Sequence, residues 1–120
     1  MDGVNSVTLI GNVGNISEVY ETNKNNKIVT LSLATTERYY DSDNNKKNET
    51  QWHHVVFWNS LADICSKMIQ KGSTIYVEGK LNYKKKADNS VITEIIAKSV
   101  RVLFKNKVRS IEDLEEEGFD

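Results

Sequence analysis

At 120 residues the chain has room for one hydrophobic core rather than two. Its hydrophobic fraction of 38% is spread over short runs, far below the ~20 apolar residues of a bilayer-spanning helix, and its single cysteine, Cys65, excludes a disulfide framework and a CxxC zinc site. The net charge of −1 is uneven: residues 1–109 carry all sixteen Lys and Arg against eleven acids, whereas residues 110–120 carry six acids and no base.

In chain order, the first residues, MDGVNSVTL, have neither the basic nor the apolar stretch of a secretory leader. A reducing, cytoplasmic compartment is therefore expected. Residues 4–13 read as a strand, with Val7 and Leu9 facing one way and Thr8 and Ile10 the other. Residues 18–22 form a second short extended piece, and NKNN at 23–26 a turn, because Asn tolerates left-handed backbone. Over 27–37, Val29, Leu31, Leu33 and Thr35 alternate with Ile28, Thr30, Ser32 and Ala34, as in a strand with one buried face. The polar stretch 41–48 reads as a loop and 49–58, ETQWHHVVFW, as the third main strand.

The period then changes. Leu61, Ile64, Cys65 and Met68 fall at i, i+3, i+4 and i+7, which predicts a helix over 59–71 with Asn59 or Ser60 as its cap and Gly72 just past its end. Residues 73–85 and 91–104 are two further strands joined by a polar loop. An all-β chain of five main strands, with one helix between the third and fourth, has the element order of the OB-fold, a five-stranded Greek-key barrel. A two-sheet sandwich with a helical crossover has the same order.

Little in the sequence suits catalysis. His53 and His54 are neighbours on a strand, so their side chains point to opposite faces and cannot share one metal. Cys65 lies on the apolar stripe of the helix, the place of a small buried hydrophobe. GNVG at 11–14 lacks the Lys-Ser/Thr and the helix of a phosphate loop. No enzyme activity, cofactor or metal is expected.

The aromatic residues point to binding. Trp52, His54, Val56 and Trp58 share one face of the third strand, and Gln51, His53, Val55 and Phe57 share the other. Two tryptophans on one face can stack bases of a passing single strand, or can fill the core as sheet aromatics do. Tyr39 and Tyr40 precede a polar loop, so at least one should be exposed. Tyr83 beside Lys84, Lys85 and Lys86 suits unstacked bases with a phosphate backbone, although a lone lysine run is more often a solubilising loop tip. Lys71 and Arg101 are further candidates for phosphate contact.

SVTLIGNVG at 6–14, LSLATTERY at 31–39, TQWHHVVFWNSLADIC at 50–65 and KGSTIYVEGKL at 71–81 together resemble the bacterial and organellar single-stranded DNA-binding proteins, over about residues 4–104. The resemblance implies an OB-fold homo-oligomer, usually a tetramer, that coats single-stranded DNA without sequence preference in replication, recombination and repair. It implies stacking roles for Tyr39, Trp52 and Trp58. His54 stands where the motif usually has Arg, and His53 matches the motif's His at the subunit interface. Lys84 and Lys85 match a basic pair, while Lys86 stands where many members have another stacking Trp. The end IEDLEEEGFD resembles, imperfectly, the acidic-plus-aromatic tip that recruits partner proteins, with Glu115, Glu116, Glu117 and Phe119 as its candidates; a plain solvated acidic helix is the alternative.

The expected organisation is an OB-fold binding domain over residues 1–109 and a short acidic tail over 110–120. The expected partners are single-stranded DNA, further copies of the chain and replication or repair proteins, in the cytoplasm or in an organellar matrix if the chain is a processed form. The rival readings are a specialised OB-fold protein, such as a replication-restart factor or a plasmid- or phage-encoded DNA binder, and an OB-type enzyme or oligosaccharide binder using His53 and His54.

Overall fold

The alternating stretch that begins at Lys27 becomes one of the two longest strands because a period of two turns Val29, Leu31 and Leu33 inward together. A computed structural model describes residues 1–106, and their order is β1 (Val7–Ile16), β2 (Tyr20–Glu21), β3 (Lys27–Tyr40), β4 (Lys46–Trp58), α1 (Ser60–Met68), β5 (Thr74–Lys85) and β6 (Val91–Phe104). β1 pairs with β5 through residues 7–12 and then with β3, β3 pairs with β4, and β5 pairs with β6. A short parallel contact, Val55 with Ile95 and Val56 with Ile96, joins β4 to β6. The ring β1–β3–β4–β6–β5 thereby returns to β1: this is the OB-type barrel, and the sandwich is ruled out. β2 stands outside the ring, attached to the edge of β3.

Closure depends on β1 changing partners. At the changeover Gly11 lies so close to β3 that a Cβ there would overlap the Ala34 carbonyl oxygen. The barrel is filled by Val13, Val29, Leu31, Leu33, Val55, Phe57, Ile75, Val77, Ile95 and Ala97. Helix α1 contributes Ala62 and Cys65, and Ile69 just beyond it completes the cluster. Burial pushes the Cys65 thiol up to about 12, so it stays a neutral, inert hydrophobe.

Three local expectations change. The loop over 41–48 shrinks to five residues, because β3 and β4 stay paired as far as Tyr40 and Lys46. Asp41 closes that turn by accepting bonds from the Asp43 and Asn45 amides at 2.9 and 2.8 Å. The helix ends at Met68, and its buried stripe is Ala62, Cys65 and Ile69 while Ile64 and Met68 are exposed. Small Ala62 lets the helix approach the barrel closely, which a pattern weighted toward large side chains does not register. Asn59 precedes the helix but makes no side-chain cap; with φ 54° its Oδ1 instead accepts a bond from the Lys27 amide at 3.0 Å.

Candidate nucleic-acid interface

On β4 the core takes Val55 and Phe57, both fully buried, so Trp52, His54, Val56 and Trp58 must face outward. Trp52 is 62% exposed and Trp58 38% exposed. The core-filling alternative for the two tryptophans is thereby excluded. Six residues of strand, roughly 20 Å, separate them.

Trp52 has a prepared seat. A Cβ on Gly14 would lie 2.6 Å from the indole Cζ3 and 2.7 Å from Ser32 Oγ, so only glycine leaves room for the ring to lie across β1 and β3. Ser32 Oγ accepts a bond from the Asn15 amide at 2.9 Å, fixing the floor beside it. Lys71, from the loop between α1 and β5, lines the same recess as Gly14, Asn15, Ser32 and Trp52. An aromatic plate with a lysine beside it can hold a base and its phosphate together.

His54 forms the next row of this face. Its Nε2 lies 4.0 Å from Glu94 Oε2, and the Asn82 amide donates to Glu94 Oε1 at 2.9 Å. The row therefore runs Ser32, His54, Glu94, Asn82 across β3, β4, β6 and β5. Glu94 is buried between His54 and Asn82. Two residues further along β5, Lys84 continues the same side.

The third row contains a residue that sequence reasoning missed. Trp58 pairs with Ile28, and Ile28 pairs with Tyr20 of β2, so all three side chains share the outer face. Tyr20 sits in a two-residue strand with no alternation of its own, and only the pairing reveals its neighbours.

Other candidates are placed elsewhere. Tyr39 opposes Lys47 on the side of the β3–β4 hairpin that carries His53, while Tyr40 takes the side of Trp52; both rings are exposed. Tyr83 and Lys85 take the side of the β5–β6 hairpin away from Asn82 and Lys84, and Lys86 closes its turn by donating its amide to the Ser90 carbonyl at 2.8 Å. Arg101 lines a separate recess with Ile10, Tyr76, Glu78, Ser99 and Leu103 and is not brought to the tryptophans. His53 is half-buried on the core side, its Nε2 sharing a hydrogen bond with Thr35 Oγ1 at 2.8 Å. Glu115, Glu116, Glu117 and Phe119 lie outside the described residues.

Residues 4–103 match the model of the Single-strand binding protein family. The chain is 40% identical to "Single-stranded DNA-binding protein 1" of Chlorobaculum tepidum over 84% of its own length and 65% of that protein's. It is 38% identical to the "Single-stranded DNA-binding protein" of Xanthomonas axonopodis pv. citri over 84% of its length and 58% of that one's. It thus spans about three fifths of the length of these relatives. Among solved structures it is similar to a Plasmodium falciparum SSB in complex with ssDNA, with TM-score 0.74, 33% identity and coverage of 87% of this chain and 96% of that one. A deletion mutant of the single-stranded DNA binding protein from Thermus aquaticus is similar over 84% of this chain and 51% of its own, with TM-score 0.73 and 25% identity.

Proposed function

The chain belongs to the single-strand binding protein family, and from that premise we propose that it binds single-stranded DNA without sequence preference and protects it during replication, recombination and repair. The observation that carries this reading is the pair of exposed indoles on one outer face of a closed barrel, one of them seated over Gly14 and flanked by Lys71. Stacking tolerates every base because every base has a π face. Lys71, Lys84, Lys85 and Lys86 supply the phosphate contacts, with His54 beside them on the Trp52 face.

Tyr39 and Tyr83, on the far sides of their hairpins, serve a strand that wraps around those arms. Arg101 stays off the DNA path. The protein acts as a binder, with no reaction of its own, in the cytoplasm or an organellar matrix. It assembles as a homo-oligomer, a tetramer with His53 near the contact. Residues 1–109 form the binding domain, and Glu115, Glu116, Glu117 and Phe119 in the acidic stretch 110–120 recruit partner proteins.

The test is intrinsic tryptophan fluorescence during titration with oligo-dT. Strong quenching that weakens with added salt is expected. An unquenched signal, with no complex detected by anisotropy of labelled dT, would overturn the reading.

A further inference from the structure

Tyr20 belongs to a strand that contributes nothing to the barrel, yet the chain fixes it firmly. Ser17 ties the segment before it to β3, donating its amide to the Thr30 carbonyl and accepting the Thr30 amide on its Oγ, both at 2.9 Å. After it, Thr22 donates its amide to the Asn26 carbonyl at 2.8 Å and its Oγ1 accepts the Asn26 amide at 3.2 Å, around Asn25 in left-handed conformation. The two-residue pairing then sets Tyr20 directly beside Ile28.

Ile28 is on the outer face but only 7% exposed, between two neighbours in register that are far more open: Trp58 at 38% and Tyr20 at 51%. Two strand spacings, roughly 10 Å, separate Tyr20 from Trp58, about half the Trp52–Trp58 separation along β4. Alternation turns Glu21 to the opposite side, so no acid stands on the Tyr20 face of β2.

Resting on the single-stranded DNA reading above, we propose that Tyr20 is a third base-stacking platform, and that the bound strand turns at Trp58 to cross β4, β3 and β2 rather than continuing along β4. The simpler role for Tyr20 would be to cover Ile28. Leucine at this position keeps that cover and removes the π face, whereas phenylalanine keeps both.

The experiment compares the affinity of the full chain for oligo-dT in the parent, Tyr20→Leu, Tyr20→Phe and Trp52→Ala, with thermal unfolding of each. Tyr20→Leu should weaken binding about 5-fold or more, the loss of one stacked base, with an unchanged unfolding midpoint; Tyr20→Phe should stay within about 2-fold of the parent. A second measurement does not depend on stability. In a Trp52→Phe, Trp58→Phe background, Tyr20→Trp carries the only indole, and oligo-dT should quench it. Parent-like affinity in Tyr20→Leu, or an unquenched indole at position 20, overturns the platform while the Trp52→Ala loss still supports DNA binding. A parent that does not bind oligo-dT overturns both.

Discussion

Two outer surfaces of the same barrel expose aromatic and basic side chains, and they are chemically unlike. On the β3–β4 side, Trp52 and Trp58 lie open, Gly14 and Ser32 form a floor, and Lys71 stands at the edge. On the β1–β5–β6 side, the Tyr76 hydroxyl is held by the Glu78 carboxylate, Arg101 shares their recess, and the exposed apolar groups are Ile10 and Leu103. The first surface offers π faces and positive charge, the two features that base stacking and phosphate contact require. The second offers aliphatic carbon and a phenol already engaged by an acid, which a phosphate backbone would avoid. The aromatic ring of the second surface is thus already engaged by an acid, whereas the two indoles of the first lie open.

The largest effect should come from Trp52→Ala, which should cost on the order of 1–3 kcal/mol in affinity for oligo-dT measured by anisotropy, while Tyr76→Phe on the other surface costs nothing measurable. Equal losses would erase the distinction between the surfaces.

Salt dependence sharpens it next. Replacing Lys84, Lys85 and Lys86 together by Gln should reduce the log–log salt slope by about 0.7 for each phosphate that is no longer neutralised, whereas Arg101→Gln should leave the slope unaltered. A flatter slope in the Arg101 variant would put DNA on the second surface.

Gly14→Ala should have a smaller effect. The new Cβ must displace the Trp52 ring or Ser32, so affinity should fall several-fold, by about 1 kcal/mol. In a Trp52→Ala background the same substitution should cost clearly less, because the clash with the ring is gone and only that with Ser32 Oγ remains. Persistence of the full effect in the double variant would show that Gly14 acts otherwise.

The smallest signal is spectroscopic. The hydrogen bond to Glu78 holds the Tyr76 phenol above its ordinary value of 10.0, so Tyr76 should ionise later than an unperturbed tyrosine in an alkaline absorbance titration. Glu78→Gln should bring it back down without changing DNA affinity.

Much of this was legible residue by residue. The alternation from Val29 to Leu33 and from Val55 to Phe57 shows which side of each strand enters the core, and it correctly sends Trp52 and Trp58 to the same side. The helix was legible in place and only partly in orientation: Cys65 and Leu61 pack on the barrel as their spacing predicts, but Ala62 and Ile69 join them in place of Ile64 and Met68. The tyrosines divided in the same way: position before a polar stretch shows that at least one of Tyr39 and Tyr40 is exposed, but not that both are, nor that the Trp52 side belongs to Tyr40.

By itself, then, the sequence determined the strands, their inward faces and the family motifs, because a period of two is written between neighbouring residues. Tertiary structure alone decided that Gly14 lies beneath Trp52, that Glu94 sits between His54 and Asn82, that Tyr20 joins the row of Trp58 and that Arg101 faces elsewhere. Each of these is settled between strands and not within one. Its existence depends on how the ring closes and in which register the strands pair, and a one-residue slip would exchange every inward side chain for its outward neighbour.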